Sequence, residues 1–286
     1  MKASKDLLKK HVKFLTTLRP YRNYQNLDSL EAVCDYLRHE FESFGLEVNE
    51  QKFIAGGQEY KNVIATYNGN KSRRMIVGAH FDVCGEQEGA DDNASAVAGL
   101  IESARLVAEA KPLVDYRIDF AAFNLEEPPF YATQNMGSYQ YAKWLKSTDA
   151  DIIGLINYEM IGYFHDGPQP YPGSLAELAA SFPSQANFIG VVGIPRYREF
   201  NTKVFELMRN RAEIDVQMID DLRVEELAGM SDQRSFWKFG IPALMINDTS
   251  FVRNPNYHKS TDKMETLSFD HMAEVVTCAY RAVTGF

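Results

Sequence analysis

Four apolar stretches, each running straight into polar residues, punctuate the chain: 74–79 before His80, 116–123 before Glu126 and Glu127, 151–158 before Glu159, and 241–246 before the loop that carries His258. Their length and β-branched content predict buried strands. Helical periodicity fills the gaps at 93–110 and 137–146. Strands alternating with helices predict an α/β fold, a mostly parallel mixed sheet with helices on both faces. In such sheets ligands gather just beyond the carboxyl ends of the strands. An apolar stripe at Leu30, Val33, Leu37 and Phe41 predicts a helix over 27–44, closed by Gly45. Short strands over 48–53 and 62–67 are expected to add an antiparallel edge. Further on, 188–192 reads as a strand that Gly193 and Pro195 break, with a helical pattern over 198–211. The segment GPQPYPG (167–173) reads as an irregular loop. No repeat, low-complexity tract or long linker interrupts the pattern, so one domain over 1–286 is expected.

Composition narrows the function classes. The formal net charge is −9, which argues against nucleic acid, because phosphate binding needs a basic face. No apolar run reaches the roughly 18–20 residues that cross a bilayer. Residues 1–17 mix lysines with Leu7, Leu8, Val12, Phe14 and Leu15 rather than forming an uninterrupted leader, so a cytoplasmic location is the default. Cys34, Cys84 and Cys278 are odd in number and widely spaced, and are expected to be reduced. Cys84 lies near the candidate site, but no sequence feature makes it a nucleophile.

The chemistry sits where the strands end. His80 has Asp82 two residues on, a pair that can aim an imidazole at a cation and fix its tautomer, or can simply cap a strand. GADDNAS (89–95) opens a helix; its paired aspartates can cap that helix, or Asp92 can bridge two cations with one oxygen each. Glu126 and Glu127 are adjacent and would repel unless something positive lies between them. One can ligate while the other stays free as a base, and Pro128 and Pro129 stiffen their exit from the strand. Glu159 interrupts an apolar run, where a carboxylate must be paired or metal-bound. His258 sits in a polar loop. Of the other histidines, His11, His39 and His271 fall on helical segments, and only His165 is kept as a residue on the substrate side. Two histidines with at least three carboxylates suit a pair of zinc ions, with cobalt or manganese as substitutes. A shared aspartate, with one histidine and one further carboxylate per ion, gives two nearly equivalent positions.

Read in order, HFD, GADDNAS, the EE pair, NYEMIGY, SDQRSFWKFGIPA and YHKSTD resemble the co-catalytic zinc aminopeptidases of peptidase family twenty-eight, which also holds glutaminyl cyclases and transferrin-receptor-like proteins. The resemblance covers roughly 75–267. It implies that His80, Asp92 and Glu159 hold one metal, and that Asp92, Glu127 and His258 hold the other. It makes Glu126 the general base and Asp82 the support of His80, and it implies a cis peptide between Asp92 and Asn93. The substrate it implies is a peptide with a free N-terminus. Two positions depart from the common pattern: Glu159, where aspartate is frequent, and Gln233, where many relatives carry histidine. Other readings are a cyclase-like zinc acyltransferase, a carboxypeptidase or dipeptidase using Arg196, Arg234 or Arg253, and a binding module that keeps its metal for structure. A free Glu126 beside Glu127 argues against the last, because a purely structural site needs no spare base.

Overall fold

The computed structural model describes residues 1–171 and 173–286. Its eight strands form one sheet in the order β1-β2-β4-β3-β5-β8-β6-β7. The centre is parallel and comprises β4 (Arg117–Phe123), β3 (Arg74–His80), β5 (Ile152–Glu159) and β8 (Ala243–Asn247). One edge is the hairpin of β1 (Glu47–Ala55) and β2 (Gln58–Tyr67), antiparallel to each other and to β4. At the other edge β6 (Phe188–Val192) runs antiparallel to β8 and parallel to β7 (Asp215–Ile219). The expected mixed α/β sheet is therefore present, and its four central parallel strands are those whose carboxyl ends bear the candidate ligands or lead into the loops that carry them.

Alternation along β3 shows why both faces are covered. Met75, Val77 and Ala79 join one apolar cluster, and Ile76 joins another. The larger cluster takes α1 (Lys5–Thr17), α2 (Leu27–Ser43), α3 (Ala96–Ala110) and the helices Arg198–Arg209 and Phe269–Val283. The smaller takes α4 (Gly137–Ser147) and the short helix Gln233–Trp237. Gly45 follows α2 at φ +78°, as its position required.

The structure corrects one expectation and adds one element. The helix read from 93 starts at Ala96; Asp92 (φ −103°, ψ 91°) and Asn93 (φ −132°, ψ 32°) are not helical. β7 is an element that the strand pattern did not supply, while the helices Lys5–Thr17 and Phe269–Val283 contain the helical segments read at His11 and His271. Within 167–173, Pro172 lies outside the described residues; the remainder is irregular up to a 3₁₀ turn that begins at Gly173, and Pro168 bridges Gln185. Among the described residues, no helix is long and apolar enough to cross a membrane.

Candidate metal centre

β3 delivers His80 as its last residue, fully buried. Two residues on, the Asp82 carboxylate accepts the backbone N–H groups of Glu126 and Glu127, 3.0 Å each. Asp82 therefore fixes the glutamate pair as well as facing His80, whose Nδ1 lies 3.4 Å from Asp82 Oδ1 without a hydrogen bond. The turn that presents the pair departs from β4 through Leu125 at φ +61° and ends in a cis Pro128–Pro129 bond. Glu159 closes β5. Its Oε2 accepts a hydrogen bond from Ser231 Oγ at 2.6 Å and a longer one from Asn93 Nδ2 at 3.4 Å.

Asp92 stands between the two histidines. His80 Nε2 is 3.4 Å from its Oδ1, and His258 Nε2 is 3.1 Å from its Oδ2. His80 Nε2 is also 3.4 Å from Glu159 Oε2 and 3.9 Å from Glu126 Oε2, while His258 Nε2 is 3.3 Å from Glu127 Oε2. The peptide joining Asp92 to Asn93 is cis, as the resemblance implied.

A second layer of side chains holds this loop. Asp262 accepts the N–H groups of Asp91 and Asp92, and Asp91 accepts from Gly162 N and Asn254 Nδ2. Asn93 Oδ1 accepts the N–H of Met160, which ties the loop to the end of β5. Gly89 enters the loop at φ +55°, where a Cβ would collide with the Asp92 carbonyl and the Val83 side chain. Arg22, 1% exposed, donates to the carbonyls of Leu15, Phe81, Glu88 and Gly89, so one guanidinium joins α1 to both metal-facing loops. Burial lowers its pKa to about 10 against the attraction of Asp262, Asp92 and Asp82.

The residues fit a cation. Asp82, Asp92, Glu126, Glu127 and Glu159 are all at most 6% exposed and crowd two imidazoles. Burial, together with the charge of Asp92, raises Glu127 to about 8. Burial and the neighbouring Glu127 and Glu159 raise Glu126 against the pull of His80, and burial with Asp92 raises Glu159. Burial also resists charging of the histidines, yet the carboxylates outweigh it, raising His80 and bringing His258 to about 10. Asp92 alone falls, since the two imidazoles that face it, His258 and His80, outweigh its burial. His258 Nε2 and Glu127 Oε1 have no hydrogen-bond partner. Donor atoms that stand just over 3 Å apart without bonding one another are spaced as ligands around a shared ion; bonds of about 2.0–2.1 Å in a tetrahedron separate ligand atoms by about 3.3 Å.

The remaining expectations separate. Gln233 is fully buried; it donates to the Ala228 carbonyl and accepts from Asn157, so it braces the floor beneath Ser231. His165 accepts the N–H of Gly167 in a local turn. Arg253 is buried against Gln169 and the Phe188 carbonyl, Arg196 is exposed, and Arg234 donates to Tyr131 Oη. The sequence reading missed Arg22, Ser231 and Asp262 as supports. Asp262 had a signal, as the last residue of YHKSTD.

The mixed eight-stranded sheet with helices on both faces is the fold of the zinc-dependent exopeptidases, such as one from Parabacteroides distasonis (TM-score 0.72, 19% identity, over 100% of this chain and 99% of that chain). The model of peptidase family M28 matches residues 62–283, and the chain belongs to that family. It is 34% identical over 288 residues to the uncharacterized protein YfbL of Escherichia coli, covering 96% of this chain and 86% of that one. It is 26% identical to a probable leucine aminopeptidase of Arthroderma otae, covering 90% of this chain but only 64% of the relative. Among solved structures, the Legionella pneumophila LapA aminopeptidase superposes with a TM-score of 0.78 at 20% identity, over 98% of this chain and 71% of that chain. A Bacteroides thetaiotaomicron glutaminyl cyclase gives 0.75 at 20% identity, over 100% and 99%.

Proposed function

We propose that the chain is a binuclear metal-dependent aminopeptidase of one domain, using two zinc ions, or cobalt or manganese in their place, to release N-terminal residues from peptides. The observation that carries this reading is Asp92, whose two oxygens each face a different histidine at 3.4 and 3.1 Å. His80, Asp92 and Glu159 would hold one cation, and Asp92, Glu127 and His258 the other. Bound there, the ions supply Lewis acidity that activates water and polarises the scissile carbonyl.

Glu126 is the general base. It is buried, its pKa is raised, and its backbone is fixed by Asp82, so it can accept the proton of the attacking water and return it to the leaving amine. The surplus of buried carboxylate favours a positively charged substrate α-amino group at the site. Beside Glu159 a cavity of about 110 Å³ is walled by Phe188, Val192, Ile219, Met245 and Tyr257, suited to one apolar side chain. The three cysteines are free, which suits a reducing compartment such as the cytoplasm.

A glutaminyl-cyclase activity is the second reading, favoured by a neighbour of that kind matched over nearly its whole length. The two separate on substrates. Leucyl-anilide should be hydrolysed and its N-acetyl form should not, while an N-terminal glutaminyl peptide should release free glutamine rather than ammonia. Ammonia release without anilide hydrolysis would give the cyclase reading precedence.

A further inference from the structure

We propose that Cys84 is a fourth protein ligand, a thiolate, of the cation on the His258 side, an inference that rests on the metal-centre reading above. Cys84 Sγ, a Glu127 carboxylate oxygen and a His258 ring nitrogen lie within 4.8 Å of one another. Glu127 is 4% exposed and its Oε1 has no hydrogen-bond partner, so a buried, unpaired donor stands in the same group as the sulfur. A cation bonded to sulfur at about 2.3 Å and to oxygen or nitrogen at about 2.0–2.1 Å would space these atoms about 3.3–3.6 Å apart.

Cys84 differs from the other two cysteines in where it sits. Cys34 and Cys278 are packed into the large apolar cluster, as buried thiols usually are, whereas Cys84 belongs to no apolar cluster and is partly open. Its backbone is also held. Val83 N–H donates to the Arg22 carbonyl at 3.2 Å, and Asn23 Nδ2 donates to the Gly85 carbonyl at 2.8 Å, so the residues on either side are tied to one anchor strip. Coordination breaks the S–H bond, forms a sulfur–metal bond and releases the proton to solvent. The two positions then cease to be equivalent. One is held by nitrogen and oxygen alone, while the other gains a soft ligand that selects zinc or cobalt over manganese or magnesium.

The test is the absorption spectrum of the full chain loaded with cobalt(II). A thiolate ligand gives an intense near-ultraviolet sulfur-to-cobalt charge-transfer band. The band is expected in the wild type, lost in Cys84→Ser and kept in Cys34→Ser. Cys84→Ser should also weaken one of its two cobalt ions by at least the roughly 10–100-fold that losing an outer partner of a ligand costs. If the protein binds two cobalt ions and hydrolyses aminoacyl-anilides without the band, Cys84 is no ligand while the peptidase reading stands. A band that survives Cys84→Ser overturns the assignment as well. Failure to bind cobalt at all defeats both.

Discussion

At the scale of single residues, Asp82 shows how one side chain can decide what another does. By accepting both glutamate N–H groups it fixes the backbone that presents Glu126 toward His80 and Glu127 toward His258, the division that the proposed base and ligand roles require. Glu126→Gln keeps shape and hydrogen bonding but not basicity. It should retain both cations and lose about 10²–10⁴-fold in kcat, measured on an aminoacyl-anilide alongside metal content. Undiminished turnover would remove Glu126 from the mechanism. Ser231→Ala removes the 2.6 Å hydrogen bond that orients Glu159. It should weaken the His80-side cation by about 10–100-fold, as losses of this kind do, read by competition with a chromogenic chelator.

Among elements, the parallel strands were legible because burial on both faces leaves near-continuous apolar runs that stop where the polar residues of the site begin. The chemistry at their ends was legible for the same reason, since a carboxylate such as Glu159 at the edge of an apolar run needs a partner. β7 was not: Asp215–Ile219 mixes polar and apolar residues at a sheet edge and makes no such run. The start of α3 was misplaced because Asp91 and Asp92 look like caps, while the Asp262 carboxylate, which accepts the Asp91 N–H, and the N–H groups of Met160 and Gly162, which donate to Asn93 and Asp91, hold the segment out of the helix from far along the chain. Arg22 was invisible because its partners are backbone carbonyls, which carry no residue signature. Yet it joins α1 to the loops of β3 and α3. Arg22→Met should leave several buried carbonyls unpaired, each costing about 1–3 kcal/mol. The expected result is a fall in unfolding free energy of about 3 kcal/mol or more, with weaker metal retention; an unchanged denaturation midpoint would show that the loops do not depend on it.

For the whole molecule, a pocket of buried carboxylates is a cost that cation binding offsets. Without metal, Glu127 is raised to about 8 and His258 to about 10, so both hold protons near neutrality. A cation must displace those protons, and its affinity should therefore rise with pH up to about 8, where Glu127 deprotonates, and on toward about 10, where His258 does, with protons released on binding. Titration calorimetry in buffers of different ionisation enthalpy reads that release directly; buffer-independent heats would contradict it.

If Asp92 joins two cations in one site, the metal content of each chain depends on that one side chain. Elemental analysis of the protein and of Asp92→Ala, both after dialysis against zinc, should give about two ions per chain for the wild type and close to none for the variant. A wild type holding one ion or none, or a variant holding two, would contradict the account.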